Sequence, residues 1–222
     1  MRSVIVIAPH PDDETLGCGG TLLRHKDEGD KIHWLLVTAI SEQLGFSKER
    51  IESRTEEINV VSAAYGFNSV HCLNLPTTRL DHLAINEVIE GISSVFKKTL
   101  PNVVYLPYRG DVHTDHRVVC DAAAACTKWF RYPQVNRILA YETLSETGFG
   151  IDPDSGGFQP NVFVNIESHL EMKLRIFEAY EKEGGEFPFP RSEEAIRALA
   201  ILRGASSGFK AAEAFMLLKE TN

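Results

Sequence analysis

Two short segments concentrate side chains able to do chemistry, His10-Pro11-Asp12-Asp13 and His113-Thr114-Asp115-His116. In each, a histidine precedes another metal-capable group by three positions. Across a strand-to-helix turn, that offset lets His10 and Asp13 converge on one cation. Imidazole plus carboxylate suits zinc, with other divalent ions possible. The acids Asp12, Asp13 and Glu14 stand in succession, and a bound cation would offset their mutual repulsion. If His116 supplies a third ligand, the set is two nitrogens and one oxygen with open positions, the arrangement of a catalytic rather than a structural metal. Each segment alone is a weak signal. The other histidines, His25, His33, His71, His82 and His169, read as ordinary hydrogen-bonded residues.

Other chemistries fit less well. The glycines of Gly17-Cys18-Gly19-Gly20 could cradle a phosphate at a helix start, but acids occupy the preceding turn, and neither a G-x-G-x-x-G nor a P-loop lysine is in place. Those glycines read instead as close packing of the first helix on a sheet. No G-x-S-x-G turn supports a serine nucleophile. Cys18, Cys72, Cys120 and Cys126 lie without a C-x-x-C pair, which indicates buried free thiols rather than a zinc ribbon or redox motif. Glu14 reads as support at a helix start, where an acid is favoured by the dipole.

The elements that must position these groups are legible in outline. Nearly continuous apolar runs at 3–9, 32–39, 69–75, 102–108, 137–143 and 161–166 fit strands covered on both faces. Helical patterns cover Thr15 to Glu28, Ser47 to Tyr65, Leu83 to Thr99, Thr114 to Phe130, 168–183 and 192–203. Strand and helix alternate, which predicts a Rossmann-like, three-layer α/β/α fold with a mostly parallel central sheet. Right-handed crossovers then place both His-acid segments on the C-terminal edge of the sheet, where open α/β sheets bind ligands. Residues 147–160 predict a long loop between the last two strands, and 184–191 a second punctuated stretch.

At 222 residues the chain is expected to form one domain, 1–222, with an ample core. A formal net charge of −8 argues against a nucleic-acid partner. No apolar run has the length of a membrane span or of a secretory signal, so no membrane insertion and a cytoplasmic location are expected.

Together "APHPDDE" at 8–14 and "HTDH" at 113–116 resemble the PIG-L/LmbE family of metal-dependent N-deacetylases of N-acetylglucosamine-type amino sugars. "SRTEE" at 53–57 and "RGASSGFKAAEAF" at 203–215 extend that resemblance along most of the chain. It implies His10, Asp13 and His116 as zinc ligands, Asp12 as general base and His113 as the group that stabilises or protonates the intermediate. Asp115 joins this catalytic set as a group able to orient a histidine, and Arg54 matches a position implied to face the substrate. The reaction implied is removal of acetyl from an N-acetylated amino sugar or conjugate, giving acetate and an amine. Hydrolysis of another small amide on the same metal site, or a non-catalytic Rossmann-like binding protein, are the competing readings. The resemblance also implies a homo-oligomer, a trimer or hexamer, with weak support from the apolar tail "AFMLLK" at 214–219.

Overall fold

The computed structural model describes residues 1–151 and 156–221. Seven strands, β1 (Ser3–Ala8), β2 (Lys31–Ala39), β3 (Ser69–Pro76), β4 (Val103–Pro107), β5 (Arg137–Tyr141), β6 (Val162–Asn165) and β7 (Ala212–Glu220), form one sheet in the order β3-β2-β1-β4-β5-β7-β6. Strands β1 to β5 pair in parallel, and β7 runs antiparallel to both of its neighbours. Among the described residues, six α-helices complete the fold: α1 (Asp13–Asp27), α2 (Lys48–Tyr65), α3 (Ile85–Thr99), α4 (Thr114–Ala125), α5 (Leu170–Phe177) and α6 (Glu193–Ala205).

The apolar character of the strands is explained by cover on both faces. Val4, Val6 and Ala8 of β1 enter a core shared with α1, α5 and α6, whereas Ile5 and Ile7 enter the opposite core shared with α3 and α4. Alternate side chains of one strand thus serve two cores, and the three-layer arrangement follows. The glycines of α1 bring that helix close to the sheet. A Cβ on Gly17 would lie 2.3 Å from the Tyr141 ring, and one on Gly20 2.6 Å from Ile166. These glycines serve packing.

The elements depart from sequence expectation in three places. Helix α4 ends at Ala125 rather than at Phe130; Thr127 turns its hydroxyl onto the Ala124 carbonyl, a side-chain bond that competes with helix continuation. Helix α5 stops at Phe177, and the chain then turns Tyr180 inward to bond Glu14. The largest departure is the tail: residues 214–219 belong to β7, inserted between β5 and β6. The tail packs within its own sheet and lends no support to an assembly contact.

The loop expected over 147–160 does connect β5 to β6, but β7 follows, so these are not the last two strands. Its described part contains a single 3-10 turn, Thr147–Phe149, and residues 152–155 of that expectation lie outside the described residues. Among the described residues, no helix is long and apolar enough to cross a membrane.

Candidate active site

His10, Asp12 and Asp13 occupy the turn from β1 into α1, and His113 to His116 open α4 after β4. Adjacent parallel strands β1 and β4 bring the two segments together at their C-terminal ends. His10, Asp13 and His116 offer donor atoms that all lie within 4.8 Å of one another. His116 Nε2 stands 3.3 Å from Asp13 Oδ2, and His10 Nδ1 3.4 Å from the same oxygen.

The outer nitrogens of both rings are anchored. His10 Nε2 donates to Asp115 Oδ2 at 3.0 Å, and His116 Nδ1 donates to Asp111 Oδ2 at 2.8 Å. Asp115 is in turn fixed by the backbone amides of Thr78 and Leu80 at 2.7 and 3.1 Å, and Asp111 by the Thr147 hydroxyl at 2.6 Å. Carboxylates behind imidazoles are the usual way of fixing tautomer and aim at a metal site. Sequence reasoning anticipated this use of Asp115 and missed Asp111, although it lies two positions before His113.

The residues fit a cation on independent grounds. His116 Nε2 is buried with no hydrogen-bond partner, its approach to Asp13 lacking hydrogen-bond geometry, and a buried polar atom without a partner requires an explanation. Burial disfavours charge on His10 and His116, yet Asp115 and Asp13 raise His10 to about 9, and Asp13 and Asp111 raise His116 well above the usual imidazole range. Burial likewise opposes ionisation of Asp13, but His116 and His10 hold its carboxyl well below the usual range. Positive charge is favoured at this point, and a divalent ion competes with protons for it. A second grouping, His10, His113 and Asp115, fits less well, because Asp115 is committed to two amides and His113 Nδ1 accepts from the Asp115 amide at 3.1 Å.

Asp12 is treated differently from its neighbour. Its backbone has φ 134°, a conformation that non-glycine residues rarely adopt and that is held only where surroundings enforce it. Here the Asp12 amide donates to Glu14 Oε2 at 3.1 Å, its carbonyl accepts from Thr15 and Leu16, and Arg191 Nη1 donates to Asp12 Oδ2 at 3.1 Å. Burial, then the charges of Asp13 and Glu183, push the Asp12 carboxyl well above the usual range, with Arg191 opposing. Glu14 is buried beneath the turn, receives the Tyr180 hydroxyl at 2.7 Å, and is pushed up to about 7 by burial.

His113 stands beside the cluster, its ring 4.5 Å from that of His10. Because Nδ1 accepts from an amide, the ring hydrogen sits on Nε2. Burial, then His10 and His116, push it down to about 4, so the imidazole is neutral near pH 7.

Arg54, on α2, donates from Nη1 to the Pro11 carbonyl at 2.9 Å, pairs through Nε with Glu57 at 3.2 Å, and bonds Glu183 through Nη2. It lines the pocket with its charge already engaged, bracing the turn from β1 into α1. Glu183 also pairs with Arg191 at 3.4 Å. The stretch 184–191, which the sequence left unassigned, therefore delivers Arg191 to Asp12 across 179 positions. A pocket of about 970 Å³ opens over the cluster and includes Asp12, His113, Arg54 and Arg191 in its walls.

Known proteins share this chain's sequence and fold. It is 30% identical over 231 residues to the diacetylchitobiose deacetylase of Thermococcus kodakarensis, covering 96% of this chain and 82% of that one. It is 26% identical to a probable N-acetyl-alpha-D-glucosaminyl L-malate deacetylase 2 of Bacillus cereus, covering 82% and 84% of the two chains. Among solved structures, a conserved protein of Thermus thermophilus superposes with a TM-score of 0.79 at 28% identity, covering 100% of this chain and 97% of that one. The N,N'-diacetylchitobiose deacetylase of Pyrococcus horikoshii has the same fold, with a TM-score of 0.77 at 21% identity over 97% of this chain and 83% of that chain. The family model described as PIG-L: GlcNAc-PI de-N-acetylase matches residues 5–127, a span that contains both His-acid segments. The chain belongs to the PIG-L family.

Proposed function

We propose that this protein is a metal-dependent hydrolase that removes the acetyl group from an N-acetylated amino sugar or N-acetylglucosaminyl conjugate, releasing acetate and a free amine. The observation that carries the reading is the buried His116 Nε2, which has no hydrogen-bond partner and faces Asp13 and His10, with Asp12 and His113 beside it in one pocket. Relatives named as deacetylases of diacetylchitobiose and of an N-acetylglucosaminyl malate support the substrate class.

In this reading His10, Asp13 and His116 hold a zinc ion. When bound, the ion polarises the amide carbonyl and acidifies water. Asp12 then acts as general base: raised above the ordinary carboxylate range, it is matched to taking a proton from the attacking water and passing it to the departing amine. The Arg191 contact aims its carboxylate. His113 donates its Nε2 hydrogen to the carbonyl oxygen as charge develops there, a role that a neutral imidazole fills without titrating. Asp115 and Asp111 keep two rings in register, and Arg54 faces the substrate while tying Pro11 in place. A cytoplasmic homo-oligomer rests on the family resemblance and on composition.

The test is acetate release by the purified protein from N-acetylglucosamine, N,N'-diacetylchitobiose, N-acetylglucosaminyl glycosides, N-acetyl amino acids and simple acetamides. Release from the sugars is expected. Release confined to the non-sugar amides would favour hydrolysis of another small amide, and release from none would favour the binding-protein reading.

A further inference from the structure

Five non-glycine residues among those described have positive φ: Asp12, Asn74, Thr78, Leu100 and Ser145. Asp12, Asn74 and Thr78 line the pocket over the His-Asp cluster. Aspartate and asparagine tolerate left-handed backbone, and Leu100 takes it as the C-cap of α3, where it is common. Thr78, at φ 60°, is the β-branched residue of the set, and for that side-chain type the conformation is a genuine outlier.

The backbone at this position has a use. Asp115 Oδ2 receives the Thr78 amide at 2.7 Å and His10 Nε2 at 3.0 Å, while Asp115 Oδ1 receives the Leu80 amide at 3.1 Å. The turn after β3 thus fixes the carboxylate that fixes the His10 ring. Glycine would supply the same conformation without the steric cost, so the amide does not explain why a threonine stands there. The side chain must account for it.

That side chain is exposed and forms part of the pocket wall. Among the described residues its hydroxyl has no hydrogen-bond partner. A neutral group able both to donate and to accept is therefore held beside the cluster, one carboxylate oxygen away from His10. Such a group pairs with substrate hydroxyls, which an N-acetylated sugar carries at several carbons and a simple acetamide lacks.

We infer that Thr78 is a specificity-determining residue: its hydroxyl hydrogen-bonds a hydroxyl of the N-acetylated sugar while the acetamide occupies the His-Asp cluster. The inference rests on the deacetylase reading and goes beyond it by naming a residue that tells a sugar from another amide.

Substitutions at this position separate strain from the hydroxyl. Valine has the shape and strain of threonine without the hydroxyl, serine keeps the hydroxyl with less strain, and glycine has neither. Acetate release from N-acetylglucosamine should follow the hydroxyl. Thr78→Ser is expected to stay within about 3-fold of wild type in kcat/KM, and Thr78→Val and Thr78→Gly each to fall by about 10-fold, mostly through KM. Stability should follow the strain instead: Thr78→Gly should unfold in urea no earlier than wild type, since relief of the left-handed backbone offsets the freedom of glycine in the unfolded chain. Metal content should be unchanged throughout. Equal kcat/KM in every variant, a destabilised Thr78→Gly, or metal loss in Thr78→Val would make Thr78 a bystander or a structural support and overturn the inference.

Analogues of N-acetylglucosamine that each lack one hydroxyl identify the partner. With one of them the difference between wild type and Thr78→Val should vanish, and its persistence with all of them would show that no sugar hydroxyl is met. Calorimetric titration with N-acetylglucosamine keeps the two claims apart. Binding that weakens in Thr78→Val, without acetate release from either protein, would uphold the contact and defeat the deacetylase reading. Equal binding and equal acetate release by the two proteins would do the reverse.

Discussion

His25, Glu28 and Asp30, gathered below the N-terminal edge of the sheet, offer donor atoms as close together as those of His10, Asp13 and His116 at the C-terminal edge, within 4.8 Å in both sets. In the first cluster every charge is answered. The Arg2 guanidinium bonds Asp30 at 2.8 Å and Glu28 at 2.6 Å, and His25 is held by Asp30 at 2.9 Å and the Tyr105 hydroxyl at 3.0 Å. In the second cluster Asp111 and Asp115 occupy the outer nitrogens, and the inner ones face one carboxylate with no arginine or lysine in the set. Residue types alone do not distinguish the clusters. Their partners do: Arg2 makes the first an ion-pair brace, whereas at the other edge the inner nitrogens of two rings converge on one carboxylate, a donor set that suits a metal ion.

The largest effect expected from breaking this contrast is on metal. Asp13→Ala or His116→Ala should lower metal content from about one ion per chain to background, with turnover falling on the order of 10³-fold or more. His25→Ala should leave metal content at the wild-type level. Metal analysis with acetate release checks both, and equal metal loss in His25→Ala would erase the distinction between the clusters.

Within the catalytic edge, neighbours should fail differently. On the proposed roles, Asp12→Asn keeps the ligands and removes the base, so metal is expected to remain while turnover drops by about 10²- to 10⁴-fold. Loss of metal in that variant would make Asp12 a ligand instead.

His113→Ala is expected to cost about 10²-fold in turnover with metal retained. Since burial and two neighbouring histidines push His113 down to about 4, its ring is neutral across the working range. The alkaline limb of the pH-rate profile should therefore survive in the variant. Disappearance of that limb would show that a protonated His113 acts as acid.

The smallest effect belongs to the brace. Asp30 is drawn down to about 2, chiefly because hydrogen bonds from Arg2 and His25 outweigh burial. A carboxyl depressed on folding stabilises above its unfolded value near about 4, and that contribution is lost as pH falls from about 4 towards about 2. Asp30→Asn should lose about 1–2 kcal/mol at pH 7 and flatten the acid decline. Urea unfolding at pH 7 and at pH 3 measures it. An unchanged acid limb would show that Asp30 is not the group responsible.

How much of this was readable beforehand follows from contiguity. His10, Asp13, His113 and His116 fall in two short segments after β1 and β4, and parallel pairing of adjacent strands brings such segments together by rule. Asp111 stood in view but lacked a spacing signal, since its role depends on which way the His116 ring turns. Arg191 reaches the site from a stretch without helical or strand period, and Glu183 from the end of the predicted helical pattern, beyond where α5 stops; nothing local ties Arg191 to a carboxylate 179 positions away. Strand β7 escaped for a related reason: its pairing is antiparallel and out of chain order, so the alternation of strand and helix that revealed β1 to β5 does not extend to it.

The most direct test of a metal-dependent deacetylase is acetate release from one N-acetylglucosaminyl glycoside, measured on a single preparation as purified, after chelation to verified metal-free protein, and after return of zinc. Acetate release should disappear on stripping and recover when about one equivalent of zinc per chain is restored. Undiminished release from the metal-free protein would contradict the assignment of His10, Asp13 and His116 as a catalytic metal site.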